Sequence, residues 1–88
     1  MTGYHRGARV GVVDDGTVVY LAVLPDGPIA VLDDMAALIW RYALSENDVV
    51  TAVAVACAAR PDDVRADVDA FVTSLVAGGL LKPGPAAG

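Results

Sequence analysis

The stretch Leu24 to Tyr42, LPDGPIAVLDDMAALIWRY, sets the strongest limit on the fold. A turn over Pro25-Asp26-Gly27 leads into the short apolar run Pro28-Ile29-Ala30-Val31-Leu32. Asp33 and Asp34 close it, and an apolar helical pattern begins at once. Proline has no amide hydrogen to give to a ladder, so a strand that starts at Pro28 belongs on a sheet edge. An open apolar edge beside an apolar helix is a liability unless something binds there.

The residues upstream read as two more strands. Arg9 to Val13 is rich in β-branched side chains. Asp14-Asp15-Gly16 is a hairpin turn signal, and Thr17 to Leu24 is apolar on both alternating sets, as in a strand with neighbours. Downstream come three helices. Asp33 or Asp34 caps the first, about Met35 to Leu44, in which only Arg41 is charged. A helix apolar all round is buried or partnered, which also raises the first helix as an oligomer interface. Ser45 or Asn47 caps the second, about Val49 to Ala59, with Asp48 supporting the helix dipole. Pro61 and the acidic Asp62 and Asp63 open the third, about Asp62 to Ala77. Val64, Val68, Phe71, Val72, Leu75 and Val76 form one apolar stripe along it, and Gly78-Gly79 ends it. Leu80-Leu81 then returns to pack. The expected fold is α+β: a three-stranded antiparallel sheet followed by three helices. Its domain spans residues 9–82, between a flexible N-terminal arm (1–8) and a flexible tail (83–88).

The chemistry of the chain is mostly a matter of exclusion. A net charge of −5 and six scattered cations argue against nucleic acid, and so against a winged-helix regulator. No apolar run is long enough to span a bilayer, so no membrane partner is expected and the location is read as cytoplasmic. His5 and Cys57 are each alone, so no His/Cys metal site and no internal disulfide are expected. Ser45 and Ser74, the only serines, lack a nucleophile-elbow setting. The aspartate pairs 14/15, 33/34 and 62/63 sit where turns and caps want them, and so read as structural. Cys57, among alanines, reads as a small buried hydrophobe. No catalytic residue and no cofactor emerges. What remains is an exposed strand edge suited to peptide binding by strand addition.

The L-P-x-G turn, the strand ending in Leu32-Asp33, and the apolar helix with Ala36 and Trp40 resemble the PqqD-like proteins, or RiPP precursor peptide recognition elements. Pro61-Asp62, Asp67-Val68, Phe71, Leu75 and Gly79-Leu80-Leu81 fit the same pattern, so the resemblance runs from about Val10 to Lys82. It implies a winged helix-turn-helix-like fold without catalytic activity. It further implies binding of the leader segment of a ribosomally made precursor peptide, for presentation to a modifying enzyme. The leader would add to the third strand, at Pro28, Ile29, Ala30, Val31, Leu32 and Asp33, and lie against Val64, Asp67, Val68 and Phe71 of the third helix. A stand-alone chain of this kind suits lasso-peptide systems, with a leader peptidase and cyclase, or a radical-SAM pathway such as that of pyrroloquinoline quinone. The Ala- and Val-rich, Lys-poor composition suits a GC-rich bacterial source, and with it the lasso type. A monomer or weak dimer is expected.

Overall fold

The computed structural model describes residues 3–45 and 48–84. In chain order the elements are β1 (Tyr4–Arg6), β2 (Val10–Asp14), β3 (Val19–Val23), β4 (Ile29–Leu32), α1 (Asp34–Ser45), α2 (Val49–Ala56), α3 (Pro61–Ala77) and β5 (Leu81–Pro83). The α+β expectation is borne out: β2, β3 and β4 form an antiparallel sheet in sequence order, and three helices follow.

One side of the sheet packs on the helices. Val10, Val19, Leu21 and Leu32 share a core with Ala37, Ile39, Trp40 and Ala43 of α1. The other apolar residues of α1, including Leu38, Tyr42 and Leu44, are half-buried, so this helix is partnered within its own chain. The α3 stripe lies as its spacing requires, with Val64, Val68, Val72 and Leu75 buried and Phe71 and Val76 half-buried. The β-branched run of α2 is helical because Val49, Val50, Val53 and Ala54 are buried, and packing outweighs modest propensity.

The N-terminal segment departs from the loose arm expected of residues 1–8. Tyr4, His5 and Arg6 pair with Pro83, Lys82 and Leu81 in a second, two-stranded sheet. The His5 Nδ1–H donates to the Gly84 carbonyl at 2.9 Å, and Gly84 N–H donates to Gly3 at 2.9 Å. Gly7 N–H donates to the Leu80 carbonyl at 3.0 Å, and a side chain at Gly7 would run into the Gly79 carbonyl. Strands of three residues are too short to show an alternation, and their partners lie at opposite ends of the chain. The remaining tail, 85–88, and Met1 and Thr2 lie outside the described residues.

The helix caps also differ. The bonds that open α1 run from Ala36 and Ala37 N–H to the Asp33 backbone carbonyl rather than to an aspartate side chain. Asp48 caps α2, its carboxylate accepting from Thr51 N–H at 3.1 Å and from the Thr51 hydroxyl at 2.8 Å. Ser45 ends α1 instead, its hydroxyl donating to the Arg41 carbonyl, and Asn47 lies outside the described residues. α2 stops at Ala56, short of the expected Ala59, which leaves Cys57 exposed at its C-cap rather than buried.

Helices α2 and α3 end in the same motif with different residues. After α3, Leu80 N–H reaches the Leu75 carbonyl and Gly79 N–H that of Val76, with Gly79 at φ +77°. After α2, Ala59 N–H reaches Ala54 and Ala58 N–H reaches Val55, with Ala58 at φ 53°. The left-handed position costs a Cβ-bearing residue about 1 kcal/mol or more, and glycine almost nothing. Ala58→Gly is therefore expected to stabilise the fold by about 1 kcal/mol, raising the thermal midpoint by roughly 4–8 °C in a chain of this size. Calorimetry checks it.

Candidate functional site

β4 lies at the edge of its sheet, bonded only to β3. The pairing runs Val19↔Leu32, Tyr20↔Val31, Leu21↔Ala30 and Ala22↔Ile29. One backbone bond fixes its phase: Val23 N–H donates to the Pro28 carbonyl directly opposite, at 3.3 Å. In an antiparallel ladder, directly opposed pairs exchange bonds at every second position. The β3-facing groups on β4 are then those of Ala30 and Leu32. The N–H and C=O of Ile29 and Val31 point away from the sheet. Two donors and two acceptors stand in register along this edge, whereas the backbone of Pro28 faces β3, where Gly27 N–H reaches the Val23 carbonyl at 2.7 Å in place of the N–H that proline lacks.

Side chains alternate on the same strand. Leu32 is buried and Ala30 half-buried against the core, whereas Ile29 is 72 % and Val31 59 % exposed. On the sheet's outer face, Val13, Tyr20 and Val31 form one row across the three strands. Gly11, Ala22 and Ile29 form the next, and the Leu24 side chain lies over Gly11. The opposite sheet edge, on β2, is partly occupied, because Val10 N–H already donates to the Gly7 carbonyl.

The four positions expected on α3 separate. Val64 and Val68 are buried in the core, which leaves the exposed Asp67 and the half-buried Phe71 to present surface. Two described cavities run along α3, of about 560 Å³ and 340 Å³. Tyr4 and Val72 line both, and no residue of β4 lines either. The strand is an open edge, bonded on one side only.

The aspartates that flank the sheet do structural work. Arg41 donates from Nε and Nη2 to the two Asp14 carboxylate oxygens, at 2.8 and 2.7 Å, clamping α1 to the end of β2. Asp14 also accepts from Gly16 N–H, and Asp15 from Thr17 and Val18 N–H, which builds the β2–β3 turn. The Arg41 hydrogen bonds, then that from Gly16, lower the Asp14 pKa from 3.8 to about 2. Backbone N–H donors lower Asp15 and Asp48 in the same direction. A depressed carboxylate pKa stabilises the fold above its unfolded value and loses that stabilisation as pH falls through the folded value. The thermal midpoint is thus expected to drop between about pH 4 and pH 2, and Asp14→Asn to flatten part of that drop. A calorimetric pH series on both proteins checks it.

Among the described residues no His, Cys, Asp or Glu cluster of three or more could hold a metal ion, and no polar side chain is buried. No helix of the described residues is long and apolar enough to cross a membrane. What the arrangement offers is backbone hydrogen bonding along β4, with an apolar face beside it. The division of labour within Pro28–Leu32 was hidden in the sequence because both alternating sets of β3 and β4 are apolar.

The comparisons bear on the same region. The family model described as coenzyme PQQ synthesis protein D (PqqD) matches residues 18–81, which takes in β3, β4 and all three helices. No curated protein and no solved structure gives a significant match.

Proposed function

The chain belongs to the PqqD family, whose proteins are non-catalytic peptide chaperones, and from that premise we propose that it binds the leader segment of a ribosomally synthesised precursor peptide along β4. The leader adds as a fourth strand beside Ile29-Ala30-Val31-Leu32 and is delivered to a modifying enzyme. The observation that carries this reading is the phase of the ladder, which leaves the Ile29 and Val31 backbone groups unpaired on an open edge. Strand addition draws affinity from such groups and specificity from alternate side chains. Asp33, just past the strand, and Asp67 and Phe71 on α3 are the further contacts we assign to the leader. Val64 and Val68 support that contact from the core.

Delivery to a lasso-type leader peptidase and cyclase is the favoured pathway, on the Ala- and Val-rich, Lys-poor composition of the chain. The family's own description, synthesis of a coenzyme, favours a second reading in which the recipient is a radical-SAM enzyme.

Amide hydrogen exchange followed by NMR tests the docking mode. In the free chain, Ala30 and Leu32 amides should exchange slowly and those of Ile29 and Val31 fast. Saturation with the synthetic leader of the precursor encoded in the same gene cluster should slow Ile29 and Val31 and leave the other two unchanged. Unaltered exchange at Ile29 and Val31 in the leader-bound chain rules out strand addition at β4.

A further inference from the structure

We propose that the outer face of the β2-β3-β4 sheet docks the enzyme that receives the leader, through an apolar patch on that enzyme flanked by lysine or arginine side chains. The inference rests on the leader-binding reading and assigns it a second surface. Among the described residues, the large hydrophobic side chains that stand exposed are Val13, Tyr20, Leu24, Ile29, Val31 and Val55. All but Val55 lie on this one face, or in the Leu24 turn that folds over it. Val13, at the side farthest from the leader edge, is 63 % exposed. Single exposed apolar residues need no explanation, but a contiguous apolar face marks an interaction surface.

The occupant follows from shape and charge. The face is an exposed surface across three strands, which suits a protein rather than a small molecule. From Val10 to Asp34 the chain carries Asp14, Asp15, Asp26, Asp33 and Asp34 and no lysine or arginine, and Arg9, whose carbonyl accepts from Leu24 N–H, stands at the opposite end of the sheet from Asp14, Asp15, Asp33 and Asp34. Four of these aspartates lie at the end where β2 turns into β3 and β4 runs into α1. Among the described residues Arg41 forms its ion pair with Asp14. A second copy of the chain would bring the same aspartates and a net charge of −5 to the contact. A partner with cationic groups beside an apolar centre meets the face with complementary potential. Ile29 and Val31 turn their backbone to the edge and their side chains to this face, so an enzyme seated on the face lies next to a leader seated on the edge.

The test uses the full chain, the synthetic leader, and the purified peptide-modifying enzyme encoded in the same gene cluster. The variants are Val13→Ser with Leu24→Ser, both exposed and away from the β4 edge, and separately Asp34→Asn. Interferometry reads enzyme affinity and fluorescence anisotropy reads leader affinity. The double variant should weaken enzyme binding about tenfold or more and leave leader affinity within about twofold. Asp34→Asn should weaken enzyme binding at low salt, with the difference gone near about 0.5 M salt. Three results overturn the proposal: enzyme affinity indifferent to the double variant, no enzyme binding by the wild-type chain, or a wild-type dimer that the double variant dissolves. Loss of leader binding at β4 with face-dependent enzyme binding intact would count against the leader reading alone.

Discussion

Trp40→Ala is expected to cost about 3–5 kcal/mol, the range for truncating a large aromatic in a packed core. A domain of this size has roughly 5–10 kcal/mol in total, so a loss near about 5 kcal/mol leaves half of it or less. Trp40 is the largest of the fully buried side chains, at 2 % exposure, and the rest of the core is mostly valine and alanine. Small neighbours cannot collapse far into a space of indole size, which places the loss toward the upper end of the range. The site depends on the same packing. Leu32 and Ala30 are held against this core, and their inward side chains are what turn Ile29 and Val31 outward. Urea titration followed by circular dichroism checks the result, since the variant has no tryptophan to report by fluorescence. A midpoint near that of the wild type would mean that the core is not organised on Trp40.

How much of this was legible in the sequence depends on the length over which a pattern repeats. The α3 stripe from Val64 to Val76 covers three turns, and every position of it is buried or half-buried. Proline at position 28 pointed to an edge strand, and β4 is at an edge, but the donor that Pro28 lacks faces β3, where Gly27 N–H takes its place. The terminal sheet was not legible, because Tyr4–Arg6 and Leu81–Pro83 are each too short to carry an alternation and meet only when the chain has folded. Cys57 was misplaced for a different reason. Its alanine neighbours continue a helical composition, but Ala58 adopts a left-handed conformation that glycine would normally mark. The cap of α2 moved by one or three residues among Ser45, Asn47 and Asp48, all of which have the right chemistry; only the Asp48–Thr51 bonds choose between them. The bidentate Arg41–Asp14 pair joins residues 27 apart, and nothing local in either segment points to the other.

The site shows the same limit at finer scale. An all-apolar strand has no visible period, so Pro28 to Leu32 read as one undivided docking edge. The structure divides it by parity, and parity makes the proline prediction sharp. Ile29→Pro and Val31→Pro each remove an N–H that faces away from β3, while the β3 ladder keeps its own donors at Ala30 and Leu32. Proline on an edge with its missing donor turned outward is compatible with a sheet. Both variants should therefore stay folded and lose leader affinity by about 1 kcal/mol or more each, roughly fivefold or greater. Ala30→Pro instead removes a donor from the β3 ladder and should lower stability first, by about 1–3 kcal/mol. Anisotropy titrations with the labelled leader, alongside circular dichroism melts, separate the two outcomes. Equal leader affinity in folded Ile29→Pro and Val31→Pro proteins would remove backbone pairing at β4 from the account. The remaining contact surface would then be the side chains of Asp67 and Phe71 on α3 and of Ile29 and Val31 on the sheet.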